Sequence, residues 1–172
     1  PLIDWHTSEP KLRGEMGVAY LIETETHRIL FDVGQHTEKE SPSPLELNMT
    51  ALGVALDSID TIFISHNHFD HVGGMQRQRD QTFSIGLEQV PLPGARAFVP
   101  IAMTYPGLSP VHSREPTRIV EGVASTGTIG RQLVFGWIDE QSLVVNVAGR
   151  GGVLIVGCGH QPLPKLLARY DQ

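Results

Sequence analysis

The stretch Asp60-Thr61-Ile62-Phe63-Ile64-Ser65-His66-Asn67-His68-Phe69-Asp70-His71 decides how this chain is read. Asp60 to Ser65 is a short apolar, β-branched run, the pattern of a buried strand. His66 to His71 then packs three imidazoles and one carboxylate into six residues. With 8 His in 172 residues, chance produces H-x-H-x-D-H in roughly one chain in a thousand. Gly73-Gly74 and a polar stretch able to open a helix follow. The His-rich segment therefore lies on the loop at the carboxyl end of a strand, where α/β proteins place their chemistry.

The spacing carries a physical meaning. Residues two apart in an extended segment point the same way, so His66 and His68 can grip one ion together. Asp70 and His71 come where the chain turns, and can face a second ion about 3.5–4 Å away, the usual separation in two-metal hydrolytic sites. A structural zinc usually sits in a closed, Cys-rich site. This chain has one Cys, which also excludes an internal disulfide framework.

Working outward, 172 residues predict one domain with a core large enough to need no disulfide. Hydrophobic residues at 40% and charged residues at 19% are ordinary for a soluble globular chain. The 18 Gly and 12 Pro suit strands and loops better than a helical bundle. Net charge is −6 with no Lys/Arg cluster, so no nucleic-acid footprint is evident. No stretch has the length of a membrane-spanning helix, and no signal peptide is visible. A cytoplasmic location is the expectation, although the chain begins at Pro1 rather than Met, as a trimmed terminus would. The partner expected is a small-molecule substrate.

Gly17 to Glu23 and Arg28 to Asp32 read as a hairpin across Thr24 to His27. Pro44 to Leu56 has apolar residues near helical spacing, with Pro at its start as helix N-termini favour. Ala95 to Pro100 and Thr117 to Val120 read as strands, and Met103 to Pro116 as a Pro-rich loop. Gly122 to Gly130 is small and Thr-rich, and reads as a flexible loop. Leu133 to Ile138 and Ser142 to Ala148 alternate or run apolar as strands do, Gly152 to Val156 reads as a buried strand, and Leu163 to Tyr170 as a helix. Early and late hairpins predict two packed mixed sheets with helices outside, not one doubly wound sheet.

A second constellation, Gly157-Cys158-Gly159-His160, repeats the logic of the first: an apolar strand ends, glycines permit a sharp turn, and a His emerges. His160 is the candidate for a later metal ligand, against a surface or helix-capping His. Cys158 reads first as a small buried apolar residue, then as a residue lining the site or a thiolate ligand. Asp32 is equally a turn former and a carboxylate that orients a ligating His through its free ring N–H. Ser125-Thr126-Gly127-Thr128 reads as a Gly-rich turn, with an anion-holding loop as the sharper alternative. His6, His27, His36 and His112 read as solvated surface residues.

His66-x-His68-x-Asp70-His71 after a strand resembles the signature of the metallo-β-lactamase superfamily. The resemblance extends to Leu30-Phe31-Asp32-Val33-Gly34, Leu52-Gly53-Val54 and Ile64-Ser65-His66, and covers roughly residues 14–168. Ser125-Thr126-Gly127 and Gly157-Cys158-Gly159-His160 are similar to one branch, the metal-dependent hydrolases related to an archaeal dihydropterin-ribofuranosylaminobenzene-phosphate synthase. This resemblance implies an α+β, four-layer αββα sandwich, and one or two zinc ions with iron or manganese as alternatives. It implies His66 and His68 on one metal, Asp70 and His71 on a second, and His160 as the branch's later His.

The chain departs from the superfamily pattern at three points. The loop Ser125 to Thr128 lacks the usual His, Cys158 stands about where a bridging Asp is usual, and no further His follows before Gln172. The expectation is a single metallo-β-lactamase-like domain over 1–172 with the C-terminal part of the fold missing. The function implied is hydrolysis of an ester, lactone or phosphoester by a metal-activated hydroxide, with Asp70 orienting or deprotonating the water. The alternatives are a condensing transferase joining a pterin to an aryl-amine phosphate, iron chemistry such as sulfur oxidation, and a non-catalytic metal- or metabolite-binding member.

Overall fold

Alternation along three short strands builds two cores. In the computed structural model, which describes residues 1–37, 39–134 and 136–171, β1 (Tyr20–Glu23) and β2 (Arg28–Phe31) form the expected hairpin, with Tyr20 opposite Phe31. Parallel pairings then add β3 (Thr61–Phe63), β4 (Arg96–Val99) and the two-residue β5 (Val111–His112). Leu30, Ile62, Ile64, Ala97 and Val99 face one way and pack with Leu45, Met49, Val72 and Phe83. Their neighbours Ile29, Phe31, Phe63 and Phe98 face the other way, against Ile119, Val123 and Leu143 of a second sheet. Phe31 and Phe63 stack between the sheets with ring centroids 5.4 Å apart.

Parallel strands need long crossovers. Between β2 and β3 the crossover contains α1 (Pro44–Ala51). Ser43 starts it with a reciprocal cap: its Oγ accepts from Glu46 N–H, and the Glu46 carboxylate accepts from Ser43 N–H. Such a cap stabilises a helix by about 1 kcal/mol. The helix is shorter than Pro44 to Leu56, because Gly53 turns the chain at φ +70° and Leu56–Ser58 is a separate 3-10 turn. Two short helices, α2 (Phe69–Val72) and α3 (Met75–Arg79), lie between β3 and β4.

The second sheet is antiparallel, in the order β11 (Gly151–Ile155), β10 (Leu143–Val147), β7 (Val123–Ser125), β6 (Thr117–Val120). A separate hairpin joins β8 (Ile129–Leu133) to β9 (Gly136–Glu140). Helix α4 (Leu163–Tyr170) covers β11, where the Tyr170 hydroxyl donates to Gly152 O at 3.0 Å and its ring fills the space a Cβ on Gly152 would need. The layers are helix, sheet, sheet, helix, as the resemblance implied.

Three segments differ from the sequence reading. The Met103 to Pro116 loop contains β5, and the Gly122 to Gly130 loop contains β7 and the start of β8, both formed by pairing with neighbouring strands rather than by their own composition. Leu133 to Ile138 is not one strand: a hairpin connection separates β8 from β9, and Phe135 within it lies outside the described residues. Among the described residues no helix is long and apolar enough to cross a membrane.

Candidate metal centre

The strand ends converge on one spot. Asp32 follows β2 at φ +56°, a left-handed conformation that Asp tolerates better than most residues. That turn aims its fully buried carboxylate across to the end of β3. Oδ1 accepts from Ser65 N–H at 2.7 Å, and Oδ2 from Ser65 Oγ at 2.6 Å and His71 Nδ1 at 2.7 Å. The orienting carboxylate and the turn former are thus one and the same residue. Val33 N–H to His71 O and Gly73 N–H to Gly34 O tie the His-rich loop to the same strand end.

After His68 the chain enters the single helical turn of α2, ended by Gly73 at φ +89°. Successive helical side chains diverge by about 100°, so Asp70 and His71 leave the direction shared by His66 and His68. Gly17 at φ +100° abuts the Asp70 carbonyl, leaving no room for a side chain there. Ring centroids lie 4.1 Å apart for His66–His71, 4.6 Å for His66–His68, 5.0 Å for His66–His160 and 5.1 Å for His68–His160. His66 Nε2 is 3.1 Å from His68 Nδ1.

Burial first, and then the neighbouring imidazoles, lower the pKa of His66 and His68. Both are therefore neutral at pH 7, the form that binds metal. His71 is different. Burial opposes its charge, but the Asp32 carboxylate outweighs it and pushes His71 up to about 10. Its Nε2 is left facing Cys158 Sγ at 3.2 Å and Asp70 Oδ2 at 3.5 Å.

The late loop closes the cluster. Gly157 is required by contact: a Cβ there would lie 2.8 Å from Ser65 Cβ and 3.2 Å from Glu140 Oε1. Glu140, fully buried, accepts from Gly159 N–H at 3.0 Å and His160 N–H at 2.6 Å. Burial raises its pKa, and these two N–H groups oppose the rise. Gln161 Nε2 donates to Glu140 O, and Gln141 Nε2 to Ile64 O, so Glu140 and Gln141 fasten the late loop to the end of β3. Sequence reading missed this strut. One signal was available: Glu140 lies two residues after buried Ile138, on the inward face of β9.

Two donor groups result, each with its ligand atoms within 4.8 Å of one another: His66, Cys158 and His160, and Asp70, His71 and Cys158. Cys158 belongs to both. It is exposed, so its reading as a buried apolar residue is corrected; the glycines on either side hold it out toward His71 rather than in the core. His160 Nε2 is buried and has no hydrogen-bond partner. A buried polar atom without a partner is costly, and a bound cation would satisfy it. Imidazole, thiolate and carboxylate together suit zinc.

Other expectations are settled by hydrogen bonding. Ser125, Thr126 and Thr128 are buried, and their hydroxyls donate to Gln141 Oε1, Gly127 O and Pro100 O. They are spent inside the protein. His36 is not a surface residue: it is 5% exposed, with φ +57°. His27 is half-buried and bonds Asp60 at 3.2 Å, whereas His6 and His112 are exposed.

Residues 12–82 match the family model of the metallo-beta-lactamase superfamily. A curated relative, the 7,8-dihydropterin-6-methyl-4-(beta-D-ribofuranosyl)-aminobenzene-5'-phosphate synthase of Methanocaldococcus jannaschii, is 26% identical over an alignment of 194 positions that covers 89% of this chain. The chain spans 64% of that relative's length, slightly under two thirds. A quorum-quenching N-acyl homoserine lactone lactonase of known structure is similar at 20% identity and a TM-score of 0.51, over 89% of this chain and 71% of that one. An N-acyl homoserine lactone hydrolase, solved with N-hexanoyl-L-homoserine at its catalytic metal center, is similar at 20% identity and a TM-score of 0.50, over 89% and 73%. The resemblance read from the sequence therefore holds, through the family model over residues 12–82 and through fold over most of the chain.

Proposed function

Starting from a chain of metallo-β-lactamase fold, we propose that it is a metal-dependent hydrolase acting on an ester, lactone or phosphoester of a small molecule. His66 and His160, with His68 beside His66, would hold one divalent ion, and Asp70 and His71 would hold a second, with Cys158 in reach of both donor groups. The observation that carries this reading is the sharing of Cys158 by both donor groups, beside a buried and unpartnered His160 Nε2. The likeness to lactone-cleaving enzymes supports it.

Zinc is the proposed metal, with iron or manganese as alternatives. When bound, such ions supply Lewis acidity and a water whose pKa is lowered to about 7. The chain does the positioning. Asp32 fixes the His71 ring so that Nε2 faces the centre, and Glu140 fixes the backbone from which His160 projects. Burial keeps His66 and His68 deprotonated. Asp70, partly exposed, is the carboxylate able to orient the attacking water or accept its proton.

A second reading, condensation of a pterin-type electrophile with an aryl-amine phosphate, is favoured by the identity to the M. jannaschii synthase. It requires two substrates and an anion site, whereas the Thr126 and Thr128 hydroxyls donate to Gly127 O and Pro100 O within the protein. A screen over ester, lactone and phosphoester substrates separates the two. The proposal expects turnover of a single substrate that a chelator abolishes and zinc restores. Turnover by metal-free protein would overturn it.

A further inference from the structure

Beside the metal loop lies a cavity of about 600 Å³ that hydrolysis alone does not explain. Its walls come from the segment after β2 and from α3, and Gly73 and Gly74, which follow His71 closely in sequence, form part of it. Lys39, Arg77 and Arg79 line it, and no carboxylate does among the described residues. This is unusual in a chain of net charge −6. None of the three cations takes part in an ion pair among the described residues. Arg77 spends one N–H on Leu87 O at 2.9 Å, while Lys39 and Arg79 are exposed.

The cavity is also built rather than incidental. Glu15 accepts from Gln35 N–H at 3.2 Å and Thr37 N–H at 3.0 Å, fixing the wall segment. Gly73 makes room for the His36 ring, whose atoms a Cβ would meet at 3.1 and 3.2 Å. Two lining side chains hold buried polar atoms without partners, His36 Nε2 and Gln35 Oε1. In a cationic cavity, an imidazole nitrogen able to donate and an amide oxygen that only accepts point to an anionic ligand that also carries a hydroxyl.

We propose that this cavity, which shares the Gly73–Gly74 turn with the metal loop but none of its donors, binds an anionic group, phosphate or carboxylate, of the molecule processed at the metal centre. Arg77 and Arg79 provide planar donors suited to such a group, and Lys39 adds a mobile charge. His36 Nε2, as the N–H tautomer, donates to its deeper end, and Gln35 Oε1 accepts from a hydroxyl of the same molecule. The substrate class is thereby narrowed to esters, lactones or phosphoesters that carry a second, uncleaved anionic group. This narrowing rests on the hydrolase reading; the anion site does not.

The test has two arms. Calorimetric titration with inorganic phosphate, with and without chelator, should show binding that survives metal removal and weakens tenfold or more in Arg77→Gln/Arg79→Gln. Lys39→Gln/Arg79→Gln, which alters only exposed side chains, should weaken it in the same direction. Binding that disappears with the metal, or that ignores both double variants, overturns the site. In the second arm, kcat/KM for an ester bearing a carboxylate or phosphate should exceed that of its neutral analogue by tenfold or more, and the ratio should collapse in Arg77→Gln/Arg79→Gln. An unchanged ratio overturns the link to substrate. If no ester is turned over, the hydrolase reading fails, and the phosphate titration still decides the cavity.

Discussion

Asp32 shows how much one residue can hold. Its carboxylate takes hydrogen bonds from Ser65 N–H, Ser65 Oγ and His71 Nδ1, so one side chain sets the end of β3 and one face of the donor cluster. Asn in its place keeps the size and tolerates φ +56°, so Asp32→Asn tests the charge without forcing the backbone. The expected outcome is a His71 pKa well below about 10 by NMR titration, and zinc affinity reduced about 10–100-fold by chelator competition. Equal affinity in both proteins would show that the contact does not tune the site. At this scale the sequence was half legible. The His66 to His71 donors announce themselves by density, and His160 by its place after a strand. Glu140 does not, because a buried carboxylate that binds backbone N–H groups carries no spacing pattern of its own.

Elements position these residues through close backbone approach. Gly157 touches Ser65 and Glu140, bringing the segment after β11 against the end of β3. Gly157→Ala must push one of them away, and is expected to destabilise by about 1–3 kcal/mol in urea unfolding while also lowering metal affinity. A stability loss with metal affinity intact would mean that the contact serves the fold alone. Phe63 shares the inter-sheet core with Phe31 and Phe98, and Phe63→Ala should cost about 3–5 kcal/mol in the same measurement. The longer elements were legible from apolar runs and punctuation. The strands β5 and β7 were not, since two or three residues hold no period, and partner strands decide their conformation.

For the whole molecule, the imidazole cluster predicts a stability profile with two slopes in metal-free protein. Burial and neighbouring rings hold His66 and His68 below their usual 6.5, so the unfolded chain binds more protons there, and stability falls as pH drops below 6.5. His71 acts in the opposite sense. Its contribution is complete below 6.5 and is lost as pH rises toward about 10. Melting temperatures of chelator-treated protein should therefore peak near neutral pH, and Asp32→Asn should flatten the alkaline side; a steady rise through pH 9 would contradict the Asp32–His71 assignment.

The four layers and the clustering of His66 to His71 could be read from the chain because both follow from local pattern. The meeting of the second half around Cys158 could not, because it depends on two loops far apart in sequence. That meeting is the central claim, and cobalt titration followed by absorption spectroscopy tests it most directly. Two equivalents should saturate the protein and raise a thiolate-to-cobalt charge-transfer band in the near ultraviolet, and the band should vanish in Cys158→Ser. Saturation without that band, or no cobalt binding at all, would contradict a metal centre built around Cys158.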